Sequence, residues 1–324
     1  MPPSSHASTT SGAPYIGRFA PSPTGALHAG SMLAAVASYL DAKAVNGQWL
    51  LRIEDVDRHR TVRGATEAIC RSLEAHGLFW DGEIVAQTDR DARYEAALQK
   101  LAEADRIFYC NCTRKKLRAE AGPYAGHCRS RRRCNYQPAT PDAPASHAIR
   151  FDTSGLASPV FHDRILGQQQ LDLQALGDFI VRRRDSLFAY QLAVVVDDAE
   201  QGITDIVRGA DLLESTPWQI VLQRVLGYST PRYAHLPLLV HAKDGAKLSK
   251  QTGATTLHDQ QASANLLRAL AQLGQVLPPG NGPAVKQGGL PAPAQILAFA
   301  TQHWDCSKIP RQPINSNEHP QNAH

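Results

Sequence analysis

A turn dense in proline and glycine, Pro21-Ser22-Pro23-Thr24-Gly25-Ala26-Leu27-His28-Ala29-Gly30-Ser31, joins a short apolar segment at residues 15–20 to a run that repeats with helical spacing at Met32, Leu33, Val36, Tyr39 and Leu40. That spacing predicts a helix, with Gly47 as its stop. A second apolar segment at 49–53 reads as another strand. Strand, turn, helix and strand in so short a stretch admit few folds, and the expected one is a right-handed βαβ unit of a parallel, doubly wound sheet. The helix start of such a unit presents free N–H groups and a positive dipole end, which suits a phosphate. Gly25, Ala29 and Gly30 would let a nucleotide lie close to the backbone, and His28 could donate a hydrogen bond to a phosphate oxygen.

A chain of 324 residues can bury a full core, as one large domain with an insertion or as two ordinary domains. Its 43% hydrophobic and 20% charged residues are those of a globular protein rather than a disordered or membrane one. No apolar stretch approaches the ~18 residues needed to cross a bilayer. Residues 1–14 are polar, lack the basic start and apolar run of a signal peptide, and read as a disordered tail. Cytoplasmic residence is expected, with a monomer as the default. The net charge of +4 is only mildly basic. Its distribution is more telling: between Arg106 and Arg133 lie Arg114, Lys115, Lys116, Arg118, Arg129, Arg131 and Arg132, which could track phosphates or form a solvated face.

The string from Arg18 to Ser31 resembles the HIGH signature of glutamyl-tRNA synthetases, members of class I of the aminoacyl-tRNA synthetases. The resemblance implies an ATP-using enzyme that activates glutamate as an adenylate. It also implies the fold class: α/β, a class I Rossmann-type nucleotide-binding fold with an inserted zinc-binding subdomain and a small, mainly helical C-terminal part. Thr24, Gly25, His28 and Gly30 would contact ATP. Ser31 stands where the signature has its second histidine or a small replacement, so a phosphate contact from that position is not carried over.

Glutamate brings charges that must be paired if they are buried: a cationic fork for its side-chain carboxylate and an anion for its ammonium. Arg18 leads the turn, and Arg208 sits at an expected strand end before a helix capped near Thr216-Pro217. By resemblance both line the glutamate site, together with Phe19, Ala20, Pro21 and Ser22. Glu54 follows the second strand, at the carboxyl edge where open parallel sheets bind ligands, and would meet the ammonium. Tyr190 matches a glutamate-contacting position of the family through its hydroxyl, and Asp55 and Asp57 read as supporting acids near the nucleotide.

Lys247-Leu248-Ser249-Lys250-Gln251, after the flexible-looking Lys243-Asp244-Gly245-Ala246, resembles the KMSKS loop that closes over ATP in the same class. Adenylate formation develops charge on phosphoryl oxygens while the reactants are held in line, and lysines on a mobile loop can supply that stabilisation. His28, Lys247 and Lys250 are the expected catalytic residues, Lys250 also contacting ATP, with Mg2+ as the clamp on the phosphates.

Cys110-Asn111-Cys112 followed by Tyr124-Ala125-Gly126-His127-Cys128 gathers thiols into a short segment. Zinc takes four ligands, usually thiolate or imidazole. Cys110, Cys112 and Cys128 are three, and the chemistry of the side chains favours His127 or Cys134 as the fourth over a phenol of ordinary pKa ~10. Resemblance points to Tyr124 instead, because the family can carry a Cys-x-Cys…Tyr-x-x-x-Cys site in its inserted domain. One structural zinc per chain is expected.

After Gln251 come an expected helix near 262–273, a Pro/Gly-rich stretch at 277–293 and a polar tail, too little for the large anticodon-binding domain that glutamyl-tRNA synthetases carry there. The resemblance, over about 15–257, is therefore to a truncated branch of the family. That branch attaches glutamate to queuosine, the modified wobble base of tRNA(Asp), and the short Cys112-to-Tyr124 spacing also resembles it. The expected partners are ATP, L-glutamate and queuosine-containing tRNA(Asp), with no membrane. The alternatives are a minimal enzyme charging tRNA 3′ ends and a non-catalytic RNA-binding relative. The expected segments are a tail at 1–14, nucleotide-fold halves at 15–105 and 186–257, an inserted zinc-containing acceptor-binding part at 106–185, a helical remnant at 258–305 and a polar tail at 306–324.

Overall fold

The computed structural model describes residues 14–119, 124, 126–131, 136, 147–240, 257–279 and 289–315. The chain opens with β1 (Ile16–Phe19), α1 (Ala29–Lys43), β2 (Gln48–Ile53), α2 (Ala65–Ala75) and β3 (Val85–Ala86). β1 pairs with β2 and β2 with β3, all parallel, which is the expected βαβ unit. Met32, Leu33, Val36 and Leu40 of α1 are buried in the largest apolar cluster, together with Trp49 and Leu51 of β2. Gly47 does more than stop the helix. The left-handed residue is Asn46, at φ 53°. A Cβ on Gly47 would lie 2.7 Å from the Tyr15 carbonyl oxygen, so glycine is required there by the close approach to β1.

Next come α3 (Asp91–Glu103), β4 (Ile107–Cys110), α4 (Arg114–Ala119), β5 (Ala148–Phe151), β6 (Val160–Asp163), β7 (Gly167–Gln170), α5 (Leu173–Leu176) and β8 (Phe179–Arg182). β4, β5 and β8 make an antiparallel sheet. Then α6 (Tyr190–Glu200), β9 (Asp205–Gly209), α7 (Thr216–Leu226) and β10 (Arg232–Leu236) follow, with β9 and β10 parallel from Asp205↔Arg232 to Gly209↔Leu236. The Thr204 amide donates to the Ile16 carbonyl at 2.9 Å, so β9 lies beside β1. The carboxyl ends of β1 and β9 thus adjoin where the strand order reverses, the place at which doubly wound sheets bind ligands. The chain ends with β11 (Leu239–Val240), α8 (Ala262–Gln272), α9 (Pro293–Gln302) and β12 (Ile314–Asn315).

Two features depart from the expected segments. β6 falls within residues 106–185 but runs parallel to β10, with Asp163 opposite Tyr233, and β7 extends that sheet. The tie is chemical: the Asp163 carboxylate accepts the His235 backbone N–H at 3.1 Å. The expected polar tail contains β12, which pairs with β11, and Ile309 and Ile314 are buried in the main core. Nearby, Trp304 Nε1 donates to Asp41 of α1 at 3.0 Å. Apolar residues spaced thinly among polar ones hide such an attachment from composition. Among the described residues no helix is long and apolar enough to cross a membrane.

Candidate active site

A cavity of about 800 Å3 opens at the carboxyl ends of β1 and β9. Arg18, Phe19, Ala20, Pro21 and Ser22 line it from the end of β1 and the turn after it. Thr24, Gly25, His28 and Gly30 line it from the rest of the turn and the start of α1. Glu54 enters after β2, Tyr190 at the start of α6 and Arg208 from β9. Lys247 and Lys250, with the loop that carries them, lie outside the described residues.

His28 is the N-cap of α1: its Nδ1 accepts the Ser31 backbone N–H at 3.3 Å and its Nε2 lies 3.2 Å from Ser31 Oγ. Ser31, the departure from the signature, therefore holds the imidazole. A Cβ on Gly30 would come within 3.2 Å of the same ring, so the glycine leaves room for it.

Beneath the cavity lies a buried ion network that the sequence did not announce. Asp198 of α6 accepts from Arg18 Nε at 3.1 Å and from Arg52 Nη2 at 2.7 Å. Arg52, on β2 and fully buried, also reaches Glu54 at 3.3 Å and Gln201 at 2.6 Å. Burial pushes Asp198 up, but the two guanidiniums outweigh it and hold the carboxyl below the usual range. For Glu54 the balance reverses: burial raises its pKa more than Arg52 and Arg18 lower it. The signal for Asp198 was the pair Asp197-Asp198 at the end of the apolar run Val194-Val195-Val196, since an acid in a buried helix face needs a cation.

Arg208 is held differently. Its Nε donates to His235 Nε2 at 3.1 Å, Nη1 to Gln219 Oε1 at 2.8 Å and Nη2 to Thr216 Oγ1 at 2.8 Å. Thr216 thus receives the arginine instead of capping α7, whose N-cap is Ser215 with no side-chain bond. Among the described residues Arg208 has no ion pair, so a buried guanidinium faces the cavity with no carboxylate in direct contact.

Residues 16–274 match the family described as tRNA synthetases class I (E and Q), catalytic domain. The glutamyl-Q tRNA(Asp) synthetase of Ectopseudomonas mendocina is 49% identical over 298 residues, covering 92% of this chain and 95% of that protein. The protein of the same name from Thiobacillus denitrificans is 49% identical over 306 residues, covering 92% and 96%. The chain belongs to this class I synthetase family. A crystallised glutamate-tRNA synthetase from Elizabethkingia anophelis shares the fold, with a TM-score of 0.74 at 24% identity over 93% of this chain and 68% of that one.

In this class I synthetase the thiols of Cys110, Cys112 and Cys128 gather within 4.8 Å of one another. Cys112 and Cys128 Sγ are 3.7 Å apart. That equals the edge of a tetrahedron with metal–sulfur bonds of about 2.3 Å. The Tyr124 hydroxyl joins them, 3.7 Å from Cys110 Sγ and accepting the Cys128 backbone N–H at 2.8 Å. His127 lies beside the Tyr124 ring, edge to face, and is exposed; Cys134 is outside the described residues. None of the cluster residues lines the cavity. Of the basic cluster, Lys115 and Lys116 are exposed, whereas Arg129 is bound by both oxygens of Asp178 at 2.7 and 2.8 Å, a structural fork.

Proposed function

We propose that this synthetase activates L-glutamate with ATP as glutamyl-adenylate, without tRNA, and then transfers the glutamyl group to the queuosine base at the wobble position of tRNA(Asp). The observation that carries the proposal is the alignment, nearly end to end, with relatives named glutamyl-Q tRNA(Asp) synthetase.

In this reading Arg208 and Arg18 take the glutamate side-chain carboxylate, Glu54 takes the ammonium, and the Tyr190 hydroxyl and the backbone of Phe19, Ala20, Pro21 and Ser22 complete the glutamate contacts. Supporting it is the physical need for a fixed cation, a need met by Arg208, which is held by His235, Gln219 and Thr216 and makes no ion pair among the described residues. Thr24, Gly25, His28 and Gly30 hold ATP at the start of α1, where the helix dipole and free N–H groups favour phosphate. Mg2+ accompanies ATP and offsets charge on its phosphates. A glutamate α-carboxylate oxygen attacks the α-phosphorus, the bond to pyrophosphate breaks, and His28, Lys247 and Lys250 stabilise the charge that develops. A hydroxyl of the queuosine diol then attacks the adenylate carbonyl, forming an ester and releasing AMP. Cys110, Cys112, Cys128 and Tyr124 would hold one structural zinc, and the thiol geometry fits a tetrahedral site. Residues 106–185 with their exposed lysines would face the tRNA backbone, in a cytoplasmic monomer.

The test is transfer of radiolabelled glutamate to tRNA from cells with and without queuosine, using ATP, Mg2+ and the full chain. Label confined to queuosine-containing tRNA(Asp) is expected. Label at tRNA(Glu) 3′ ends in both samples would establish 3′-end charging instead, and absence of label from all tRNA would refute the transfer.

A further inference from the structure

Behind Arg208 stands a pair of buried ionisable groups. His235 of β10 and Asp163 of β6 are both fully buried, and His235 Nδ1 lies 2.6 Å from Asp163 Oδ2. The other imidazole nitrogen, Nε2, faces Arg208 Nε at 3.1 Å and Thr216 Oγ1 at 3.2 Å. Arginine has only donors, so the nitrogen facing it must be the unprotonated one. The proton therefore sits on Nδ1 and points to Asp163, and the ring is neutral. That carboxylate is itself fixed by the backbone N–H groups of Ile165 at 3.0 Å, Leu166 at 2.8 Å and His235. Burial, the largest influence, lowers the imidazole pKa despite the neighbouring acid, which agrees with a neutral ring.

Arg208 has five N–H donors. His235, Thr216 and Gln219 take one each, on Nε, Nη2 and Nη1, which leaves one N–H on each terminal nitrogen. One donor on each terminal nitrogen of the guanidinium can serve the two oxygens of a carboxylate, whereas a primary amide can offer them only one oxygen and turns its own N–H toward the other. If the imidazole took the opposite tautomer, Nε2–H would oppose Arg208 Nε–H and the guanidinium would have to swing.

We infer that Asp163 and His235 are a positioning dyad that fixes Arg208 as a two-pronged donor and so sets the preference for a carboxylate over an amide in the substrate side chain; the inference rests on the reading that this cavity takes glutamate. Neither residue touches substrate. The dyad acts through the tautomer of one ring, and Asp163 does so while tying β6 to β10.

The test uses ATP–pyrophosphate exchange by the full chain with glutamate and with glutamine, for the wild type, Asp163→Asn, His235→Leu and His235→Gln. Asparagine can accept or donate, so it frees the tautomer with little change of shape. Asp163→Asn and His235→Leu are expected to raise the glutamate KM about tenfold and to narrow the glutamate-to-glutamine ratio of kcat/KM by a similar factor. The KM for ATP and kcat should stay within about threefold. His235→Gln, whose amide oxygen can accept from Arg208, should retain more of the ratio than His235→Leu. An unchanged glutamate KM and ratio in the first two variants would overturn the inference, as would equal losses for glutamate and ATP. A wild type that exchanges no pyrophosphate with glutamate would overturn the proposed function itself, a distinct outcome. Should the variants fail to fold, 15N NMR of histidine-labelled wild type decides: Nδ1 protonated and Nε2 bare at neutral pH supports the dyad, and the reverse tautomer or an imidazolium refutes it.

Discussion

Glu54→Gln separates the cost of the site from its use. Glu54 is buried, and its pKa is raised because burial outweighs the pull of Arg52 and Arg18. A carboxyl that holds its proton more tightly when folded makes stability decline as pH rises from its ordinary value of 4.5 through the folded one. At neutral pH the ionised group is therefore a net cost to the fold, and glutamine, a shape match for the protonated form, removes that cost. Arg52 keeps Asp198 at 2.7 Å and Gln201 at 2.6 Å, so no guanidinium is stranded. The melting temperature should hold or rise. Binding should suffer in the opposite sense. An ammonium and a carboxylate about 4 Å apart attract by ~4 kcal/mol at an effective dielectric of about 20. Competition from water leaves about 2–4 kcal/mol of that, and at about 1.4 kcal/mol per decade the glutamate KM should rise roughly 30- to 700-fold. The assay is glutamate-dependent ATP–pyrophosphate exchange beside thermal melts. In the wild type the glutamate KM should fall as pH rises through the Glu54 pKa, and Glu54→Gln should lose that dependence. A variant with unchanged KM, or one that melts several degrees lower, would refute the reasoning.

Two further outcomes follow from the geometry. Tyr124→Phe keeps the three thiols and should weaken zinc by about tenfold or more in chelator competition while leaving pyrophosphate exchange unchanged; unaltered zinc affinity would pass the fourth position to His127 or Cys134. Asp198→Asn strands Arg18 and removes the shortest ion pair of Arg52, which keeps Glu54 at 3.3 Å and Asp197 at 3.8 Å; the loss of roughly 3–5 kcal/mol should lower the melting temperature by on the order of 10 °C. Because the Asp198 pKa is lowered in the fold, its contribution is present above about 3.8 and lost as pH falls through the folded value, so the two proteins should converge in acid; a constant difference down to that range would argue against the ion network.

The residues that touch the cavity were legible because they lie in short, chemically loaded strings: Arg18 to Gly30 along one turn, Glu54 just past β2, Arg208 at the end of β9. Their supports were not, because a support is chosen by three-dimensional proximity. Asp198 meets Arg18 across 180 positions of chain, and Asp163 meets His235 across 72. Periodicity found α1 and β2 but could not place β6 in the sheet of β10, since a four-residue strand carries too little pattern to name its neighbour. Arg129 shows the converse error. Counted in a basic run that could track phosphates or form a solvated face, it is instead committed to Asp178, and only the fold reveals such a commitment.

The same distinction explains why α6 matters beyond the residue it lends to the cavity. Tyr190 at its first position lines the site, Asp197 and Asp198 near its end are locked to Arg90, Arg52 and Arg18, and Leu192 to Val196 between them are buried in one apolar cluster with Ile149 and Phe151 of β5 and Phe179 and Val181 of β8. One short helix thus touches the cavity, its ionic floor and the antiparallel sheet at once. A rigid helix cannot move at one end alone, because interiors at this density transmit displacement rather than absorb it. If the acceptor engages the β4–β5–β8 sheet, as proposed for residues 106–185, a shift of that sheet would reach Tyr190 and the Arg18–Asp198 pair through α6. On that proposal, substitutions in the apolar stretch of α6 should disturb adenylate formation and acceptor transfer together, measured as pyrophosphate exchange beside transfer of labelled glutamate to tRNA; a loss in one step alone would refute it.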